Sequence, residues 1–312
     1  MENPIIIRQM QVADIPFGMQ LVQQAGWNQL EADWHRALAL HPEGCFLAEL
    51  ATGVAGSGAP VAGAPAAGPP VAGAPVAGTP AAGAPVGTVT TCIFGRVAWI
   101  AMVLVDIAAR NQGIGQKLME RAISHLDDLG IDTQRLDATV LGKGLYEKLG
   151  FQEEYEVVRM KGIAKMHGGL DDEAMPWTQE TSVPPILDLD FRITATRREP
   201  FLNALLRSNT FYYSMFEDDL AYAGSRKGRN AVQLGPAIAS TPEAGRQICD
   251  AMLHHFNGLP VFVDIPAPNK AALRWAKSNG LEEQRRFVRM YRGQKLNDTP
   301  ESMWASSGPE KG

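Results

Sequence analysis

The chain has 312 residues, which is enough for two domains with sizeable cores. Its formal net charge of −5 argues against a nucleic-acid-binding surface, because clustered Lys and Arg bind a phosphate backbone. The three cysteines, Cys45, Cys92 and Cys249, are too far apart to suggest a disulfide framework or zinc-ligand spacing. They predict a cytoplasmic protein with reduced thiols and no bound metal. Residues 1–10 lack the apolar core of a signal peptide.

The first 50 residues carry the patterns of short strands and helices. Strands are predicted at residues 5–7 and 45–50, where apolar residues cluster. Asp14 introduces a helical pattern that ends at Gly26, and a second helix is predicted over residues 30–40.

Residues 51–87 form a low-complexity segment, a five-residue repeat of the type Gly-x-Pro-Val/Ala-Ala. Collagen is excluded because it requires glycine at every third position. A membrane span is excluded because a proline every five residues removes helical hydrogen bonds that the bilayer core cannot replace. The segment is therefore predicted to be a flexible, partly polyproline-like loop inserted between the strand at 45–50 and another at 88–94. Closure entropy grows slowly with loop length, so such an insertion is tolerated.

The stretch Trp99–Leu129 carries the strongest indication of function. An unbroken apolar run ending at Asp106 predicts a strand buried on both faces. The pattern Arg110-x-x-Gly113-x-Gly115 follows it. Apolar residues at helical spacing then predict one buried helix face: Ile114, Leu118, Ala122, Ile123, Leu126 and Leu129. A glycine-bearing loop at a helix N-terminus offers free backbone N–H groups and the positive end of the helix dipole, which predicts a phosphate site.

Two familiar phosphate loops are excluded. No Gly-Lys-Ser/Thr follows the glycines, as a Walker A loop requires, and two glycines spaced G-x-G do not make a dinucleotide fingerprint. Downstream, we predict a buried strand at residues 135–138, a short helix at 145–149 and a final strand or pair of strands at 151–160.

The pattern Arg110-x-x-Gly113-x-Gly115 after a buried strand resembles the acyl-CoA pyrophosphate loop of the GNAT N-acetyltransferase superfamily. The string Leu-Tyr-Glu-Lys-Leu-Gly-Phe at residues 145–151 resembles the helix–strand junction that follows this loop in the superfamily. The resemblance implies an α/β (α+β) fold with a mixed twisted sheet flanked by helices, and acetyl-CoA as co-substrate.

The resemblance also implies roles for particular residues. The N–H groups of residues 111–116, helped by Arg110, would hold the pyrophosphate, and the backbone of residues 103–105 would pair with the pantetheine arm and polarise the thioester oxygen. The implied acetyl-CoA-binding residues are Val103, Leu104, Val105, Arg110, Asn111, Gln112, Gly113, Ile114, Gly115 and Gln116. Tyr146 stands at the general acid's position; the alternative is a ring packed on the core with its hydroxyl bonded locally. Ile107 stands where the family often has proline.

The second half of the chain repeats the first. Four residues recur at an offset of 130, since Gly150, Val158, Arg159 and Met160 become Gly280, Val288, Arg289 and Met290. We therefore predict two tandem GNAT-like domains, at residues 1–165 and 186–293, joined by a linker at 166–185 and followed by a polar tail at 294–312. This layout resembles the two-domain members of the superfamily that have an extra acetyltransferase-like C-terminal domain.

The second copy is predicted not to bind CoA. At the offset of 130, Arg110 becomes Ser240, Tyr146 becomes Ala276 and Gly113 becomes Glu243. A carboxylate aimed at a diphosphate would repel it by roughly 1–4 kcal/mol, depending on the local dielectric. The second copy would instead cover the first domain or wall its acceptor pocket.

The sequence thus predicts an N-acetyltransferase that transfers an acetyl group from acetyl-CoA to a primary amine of a small molecule or peptide by direct attack. The alternative is a non-catalytic acyl-CoA-binding sensor. Nucleic acid and membrane are not expected as partners, and the oligomeric state is left open. No general base is identified: Asp137 ends the predicted strand at 135–138, but Asp264 repeats it in the second copy. That repetition favours a structural role for Asp137, such as capping the following turn.

Overall fold

The computed structural model describes residues 4–51, 83–165, 184–208, 211–216 and 219–308. The predictions for the five-residue repeat and for the linker fall largely on residues 52–82 and 166–183, which lie outside the described residues. No helix in the described ranges is both long and apolar enough to cross a membrane.

The described residues form one continuous mixed sheet with helices packed on it. Its strands are β1 (Ile5–Gln9), β2 (Phe46–Leu50), β3 (Pro85–Phe94), β4 (Val97–Val105), β5 (Thr133–Ala138), β6 (Gln152–Ile163), β7 (Phe211–Phe216), β8 (Asp219–Arg226), β9 (Val232–Ala239), β10 (Pro260–Pro266), β11 (Glu282–Gly293) and β12 (Met303–Ala305). The helices are α1 (Ile15–Ala25), α2 (Glu31–Leu40), α3 (Ile114–Asp128), α4 (Val140–Lys148), α5 (Pro184–Thr194), α6 (Glu199–Ser208), α7 (Pro242–His255) and α8 (Lys270–Ser278).

The two halves of the sheet exchange their last long strands. The strand order is β1-β2-β3-β4-β5-β11-β6-β10-β9-β8-β7, with β12 added beside β9. Strand β11 of the second half pairs antiparallel with β5 of the first, and β6 of the first half pairs antiparallel with β10 of the second. The offset of 130 maps β6 onto β11 and α4 onto α8. The tandem fold is therefore as predicted, and the exchange is a finding that the sequence pattern did not indicate.

Two buried ion pairs connect the halves across the exchanged strands. The guanidinium of Arg289 donates to both carboxylate oxygens of Asp137, at 2.8 and 2.9 Å. In the same way Arg159 donates to Asp264, at 2.7 Å in both bonds. Asp137 has a structural role, as predicted, but it is the ion-pair partner of Arg289 and does not cap the following turn. Thr139 caps α4 instead, accepting from the Gly142 N–H at 3.3 Å.

Helix α3 packs on β3 and β4 through the predicted apolar face, with one exception. Five of the six predicted residues are buried, whereas Leu129 is 52 % exposed. The helix ends at Asp128, so Leu129 lies beyond the last turn and has left the buried face. Gly130 follows in the left-handed conformation, with φ of 68°, as expected for a helix stop.

Helix α4 is longer at its N-terminus than the predicted helix, since it begins at Val140 rather than at residue 145. Gly142 and Gly144 concealed this start, because glycine disfavours a helix interior. The segment after α4 is a single strand, β6, rather than a pair.

The predicted polar tail is wrong for residues 303–308, which are buried. Residues 303–305 form β12, which pairs antiparallel with β9. The Trp304 ring packs beside Trp275, with ring centroids 6.2 Å apart, and covers Gly245 in the first turn of α7. The Ser306 N–H donates to the Asp264 carbonyl at 2.8 Å. Apolar burial and strand pairing thus hold the end of the described chain in the second half.

A histidine pair packs α3 against the connection that precedes β2. The Nε2 atoms of His41 and His125 lie 3.2 Å apart, and the rings stack with centroids 5.1 Å apart. Burial, and then His125, lower the pKa of His41; burial, and then Arg121, lower the pKa of His125. Because the unfolded chain takes up protons at a higher pH than the folded chain, this pair favours folding above pH about 6.5. The contribution is lost as the pH falls from about 6.5 towards the lower pKa values of the folded state.

The free energy of unfolding should fall between pH 7.5 and pH 5.5 in the wild-type protein. We expect it to fall by a smaller amount in His125→Gln. A difference of one bound proton changes the free energy of unfolding by about 1.4 kcal/mol per pH unit, so removing one histidine flattens the profile by at most that slope. Urea unfolding at both pH values measures it. His35→Gln, on the exposed side of α2, is the control and should keep the wild-type profile. A wild-type profile in His125→Gln would contradict this account.

Candidate active site

A wedge opens between the parallel strands β4 and β5. The two strands pair only where residues 97–99 face residues 133–135, and among the described residues no strand pairs with this edge of β4 beyond Trp99. A bulge starts the divergence, because Thr88 lies opposite Leu104 while Thr90 lies opposite Ala101. The extra residue in β4 bends the strand away from its neighbour and leaves backbone groups facing the wedge.

The bulge is held in a strained conformation at Met102. Its φ of 50° is unusual for a residue with a side chain. The Thr88 hydroxyl donates to the Met102 carbonyl at 2.9 Å and fixes the bulge from the β3 side. Strain of this kind persists where the surrounding structure enforces it, and it concentrates at functional sites.

A cavity of about 60 Å³ occupies the wedge. Its lining comes from β4, β5, α4 and the loop between α1 and α2 in the first half, and from β6 and β11 in the exchanged region. Val103 and Tyr146 are the predicted site residues that line it. The second half therefore contributes part of the wall, through Arg285 and Phe287 of β11.

The predicted anion loop lies at the end of β4 and enters α3. Asn111 and Gly113 both have positive φ, of 63° and 73°, and Gly113 is the N-cap of α3. Among the described residues, no acceptor binds the backbone N–H groups of residues 111–116; the N–H of Lys117 is the first to bond back, to the Gly113 carbonyl at 3.1 Å. These N–H groups and the positive end of a 15-residue helix are available to an anion.

Contacts on both sides hold the loop in place. The Asp106 carboxylate accepts from the Ala108 N–H at 2.8 Å, and Gln24 of α1 binds both Asp106 and the Ile107 N–H, at 2.9 and 3.2 Å. Arg110 is exposed at the rim, where its Nε donates to the Val105 carbonyl at 3.3 Å. Ile107 is exposed in a short turn that leaves the strand without the proline that the family often has there.

Tyr146 lies on α4 with its ring packed edge-on against Phe151, the centroids 6.2 Å apart. The ring also covers Gly142, where an added Cβ would come within 2.8 Å of it. Among the described residues no group bonds to the Tyr146 hydroxyl, so the alternative of a locally bonded hydroxyl is not met. Burial raises the pKa of Tyr146 to about 12, so the phenol stays protonated at neutral pH and is available as a proton donor.

Two different family models, each described as an acetyltransferase (GNAT) domain, match the chain, one over residues 76–153 and the other over residues 186–305. The chain belongs to the GNAT superfamily. It is a two-domain member, and GNAT domains use acetyl-CoA as co-substrate. Membership of this superfamily supports acyl-CoA-dependent N-acetyltransferase activity in general terms.

Solved GNAT structures cover both domains. A candidate acetyltransferase from Pyrococcus horikoshii is 21 % identical, with a TM-score of 0.79 over 100 % of this chain and 97 % of its own. A GCN5-related N-acetyltransferase from Sphaerobacter thermophilus is 12 % identical, with a TM-score of 0.58 over 95 % and 98 %. A tandem GNAT protein from the clavulanic acid biosynthesis pathway is 11 % identical, with a TM-score of 0.57 over 95 % and 100 %. At these identities the likeness shows the fold alone. The curated proteins contain no match to this chain.

Sequence reasoning missed the part of this GNAT site that the second domain shapes. Asn28, in the loop between α1 and α2, accepts from the N–H groups of Asn230 and Ala231 at 2.8 and 3.1 Å. This contact holds the loop that carries Trp27, a residue of the cavity wall. Asn28 is separated from Asn230 by 202 positions and from Ala231 by 203, so no local pattern could have indicated the contact.

In its described residues, the second GNAT domain has neither an open wedge nor an uncapped helix N-terminus like those of the first site. The counterpart of the wedge lies between β9 and β10, and β12 fills it by pairing with β9 and packing on β10. Thr241 caps the N-terminus of α7, and the nearby Glu243 accepts from Arg246 at 2.6 Å. Ala276, the counterpart of Tyr146, is buried. In the described ranges of both domains, no group of three His, Cys, Asp or Glu side chains is arranged to hold a metal ion.

Proposed function

We propose that the first GNAT domain, within residues 1–165, transfers an acetyl group from acetyl-CoA to a primary amine by direct attack on the thioester. The observation that carries the proposal is the cavity shared by the β4 bulge and Tyr146, whose hydroxyl has no hydrogen-bond acceptor in the described part of the chain. The anion loop begins just beyond the end of β4. The second domain completes the wall of the cavity and binds no CoA.

The free N–H groups of residues 111–116, with the Arg110 guanidinium beside them, fit a pyrophosphate. The unpaired edge of β4 at residues 103–105 fits an extended amide-bearing arm, because such an arm can add to an open strand edge. Acetyl-CoA bound in this way supplies an activated acyl group at the wedge.

Groups of the chain itself then stabilise the negative charges that develop on the thioester oxygen and on the departing sulfur during transfer. A backbone N–H beside the β4 bulge donates to the thioester oxygen and stabilises its negative charge. The neutral amine nitrogen bonds to the acetyl carbon as the carbon–sulfur bond breaks, and the Tyr146 hydroxyl gives its proton to the departing sulfur. The nitrogen then gives up its extra proton to solvent water. Asp137 does not take the proton of the amine, since both carboxylate oxygens are bound by Arg289.

Steady-state thiol release with acetyl-CoA and a panel of small and peptide amines tests the proposal, with mass spectrometry to confirm the acetylated amine. We expect thiol release that depends on the amine and matches the acetylated product. Binding of acetyl-CoA without acetylation of any amine would contradict the enzyme proposal and favour the acyl-CoA sensor.

A further inference from the structure

Of the three charged side chains that line the cavity in the described part of the chain, one makes no ion pair. Asp137 lines the cavity and is neutralised by two hydrogen bonds from Arg289. Arg159 also lines it and is neutralised by the two hydrogen bonds that it donates to Asp264. The third is Arg285, and its guanidinium makes no hydrogen bond or ion pair with any described residue. The cavity wall therefore carries one uncompensated positive charge.

Arg285 reaches the cavity through a bulge of its own. In the pairing of β11 with β6, Glu283 faces Met160 and Arg285 faces Arg159, so β11 has one extra residue immediately before Arg285. Bulges of this kind redirect the next side chain. The guanidinium is half-buried over the Phe287 ring, 5.4 Å from its centroid. Burial, and then Arg159, lower the pKa of Arg285, and Asp264, already bound by Arg159, raises it only in part.

The internal repeat shows that this charge is not a structural part of the fold. At the offset of 130 the counterpart of Arg285 is Tyr155, in a β6 bulge that mirrors the one in β11. Tyr155 is fully engaged, since its hydroxyl accepts from Arg289 at 3.1 Å and donates to Asp298 at 3.2 Å. The fold therefore accepts a neutral residue at this position, and the cation belongs to the first cavity alone.

We infer that the acceptor amine also carries a carboxylate, which Arg285 binds inside the cavity. This inference rests on the proposed function. A guanidinium matches a carboxylate with two parallel hydrogen bonds, and one uncompensated positive charge matches one negative charge. A phosphate monoester carries about −1.5 to −2 and would leave an excess of negative charge. Because one cavity of about 60 Å³ holds both the β4 bulge and Arg285, the acceptor class is small amino acids.

Matched pairs of acceptors test this inference in the full-length protein. Glycine, β-alanine and γ-aminobutyrate are each compared with their amides, which keep the amine and lack the negative charge. The preference for acids is the ratio of kcat/KM for the acid to kcat/KM for its amide, and it is compared between the wild-type protein and each variant. Arg285→Gln should lower kcat/KM for the acid by about 10- to 10²-fold, the usual effect of losing a charged hydrogen bond, and change it for the amide by less than about threefold. Dividing the kcat/KM of the wild-type protein for a compound by that of the variant for the same compound cancels the intrinsic reactivity of its amine.

Two variants make the result specific. Arg286→Gln changes the next residue, an exposed arginine that is paired with Glu156 and Glu283, and should keep the preference for acids. Arg285→Lys retains the charge without the two-pronged geometry and should restore part of the preference. An equal loss of kcat/KM for the acid and for its amide in Arg285→Gln would overturn the inference. A preference for phosphoethanolamine over the amino acids would overturn it too.

The failure of the proposed function is distinguishable from the failure of this inference. If no amine is acetylated, calorimetric titration of γ-aminobutyrate and its amide into the protein with CoA present gives an answer that does not depend on turnover. Binding of the acid that Arg285→Gln removes would still support the carboxylate site. Absence of binding in the wild-type protein would overturn it.

Discussion

Replacing Gly113 with glutamate should weaken acetyl-CoA binding by about 1–4 kcal/mol, which is roughly 5- to 10³-fold in Kd. The new carboxylate would stand at the N-cap of α3, among the N–H groups that we assign to the pyrophosphate. A negative charge next to a helix N-terminus favours the helix itself, so the fold should lose little stability from the charge. Isothermal calorimetry with acetyl-CoA measures the affinity, and thermal unfolding measures the stability.

Two control variants separate charge from backbone strain. Gly113 has φ of 73° with open space around an added Cβ, so any side chain there is strained by about 1–2 kcal/mol but does not clash. Gly113→Gln carries the same strain without the charge and should retain most of the affinity. Gly95→Glu places the same charge at another left-handed glycine, in the turn between β3 and β4, and should bind as the wild-type protein does. Wild-type affinity in Gly113→Glu would remove the pyrophosphate assignment.

Replacing Tyr146 with phenylalanine should lower kcat by about 10²-fold or more while leaving the Kd for acetyl-CoA nearly unchanged. The substitution keeps the ring that packs on Phe151 and covers Gly142, and it removes only the hydroxyl. Since burial raises the pKa of Tyr146 to about 12, its ionisation should not limit kcat at neutral pH. Steady-state kinetics and calorimetry on the same preparations provide the two measurements.

Tyr291→Phe is the matched control, because it removes the hydroxyl of a partly exposed tyrosine on β11 that bonds to Gln152 at 3.1 Å. It should keep the wild-type kcat. If Tyr146→Phe also keeps the wild-type kcat, the role of Tyr146 is packing, and the departing sulfur takes its proton from water.

The sequence was most informative where one short segment determines its own structure. Apolar spacing along α3 and the glycine-bearing loop at its start predicted a helix with a phosphate site at its N-terminus, because burial periodicity and a left-handed glycine such as Gly113 act over a few residues. The same reasoning failed at Leu129, where the stop at Gly130 takes effect before the last apolar position. It also failed at the start of α4, where a threonine cap outweighs two glycines.

Contacts between distant segments could not be predicted in this way. The pairing of β5 with β11 and the burial of Trp304 are set by which edge of the sheet is open, and alternation along one strand carries no information about its partner. The same is true of Arg285, which a local pattern presents as one more charge in the run Glu-Glu-Gln-Arg-Arg. Its importance can be seen only in the structure, because the strand exchange places Arg285 in the wall of the cavity.

The exchange of β6 and β11 also fixes when the protein can finish folding as it is made. Asp137 and its partner Arg289 are separated by 152 positions, so β5 leaves the ribosome long before the strand that covers its edge. At about 5–20 residues per second, that interval lasts roughly 8–30 seconds. During this time the nascent first domain has an open edge on β5, and Asp137 has no Arg289 to neutralise it. The order of synthesis therefore delays completion of the cavity wall until β11 has emerged.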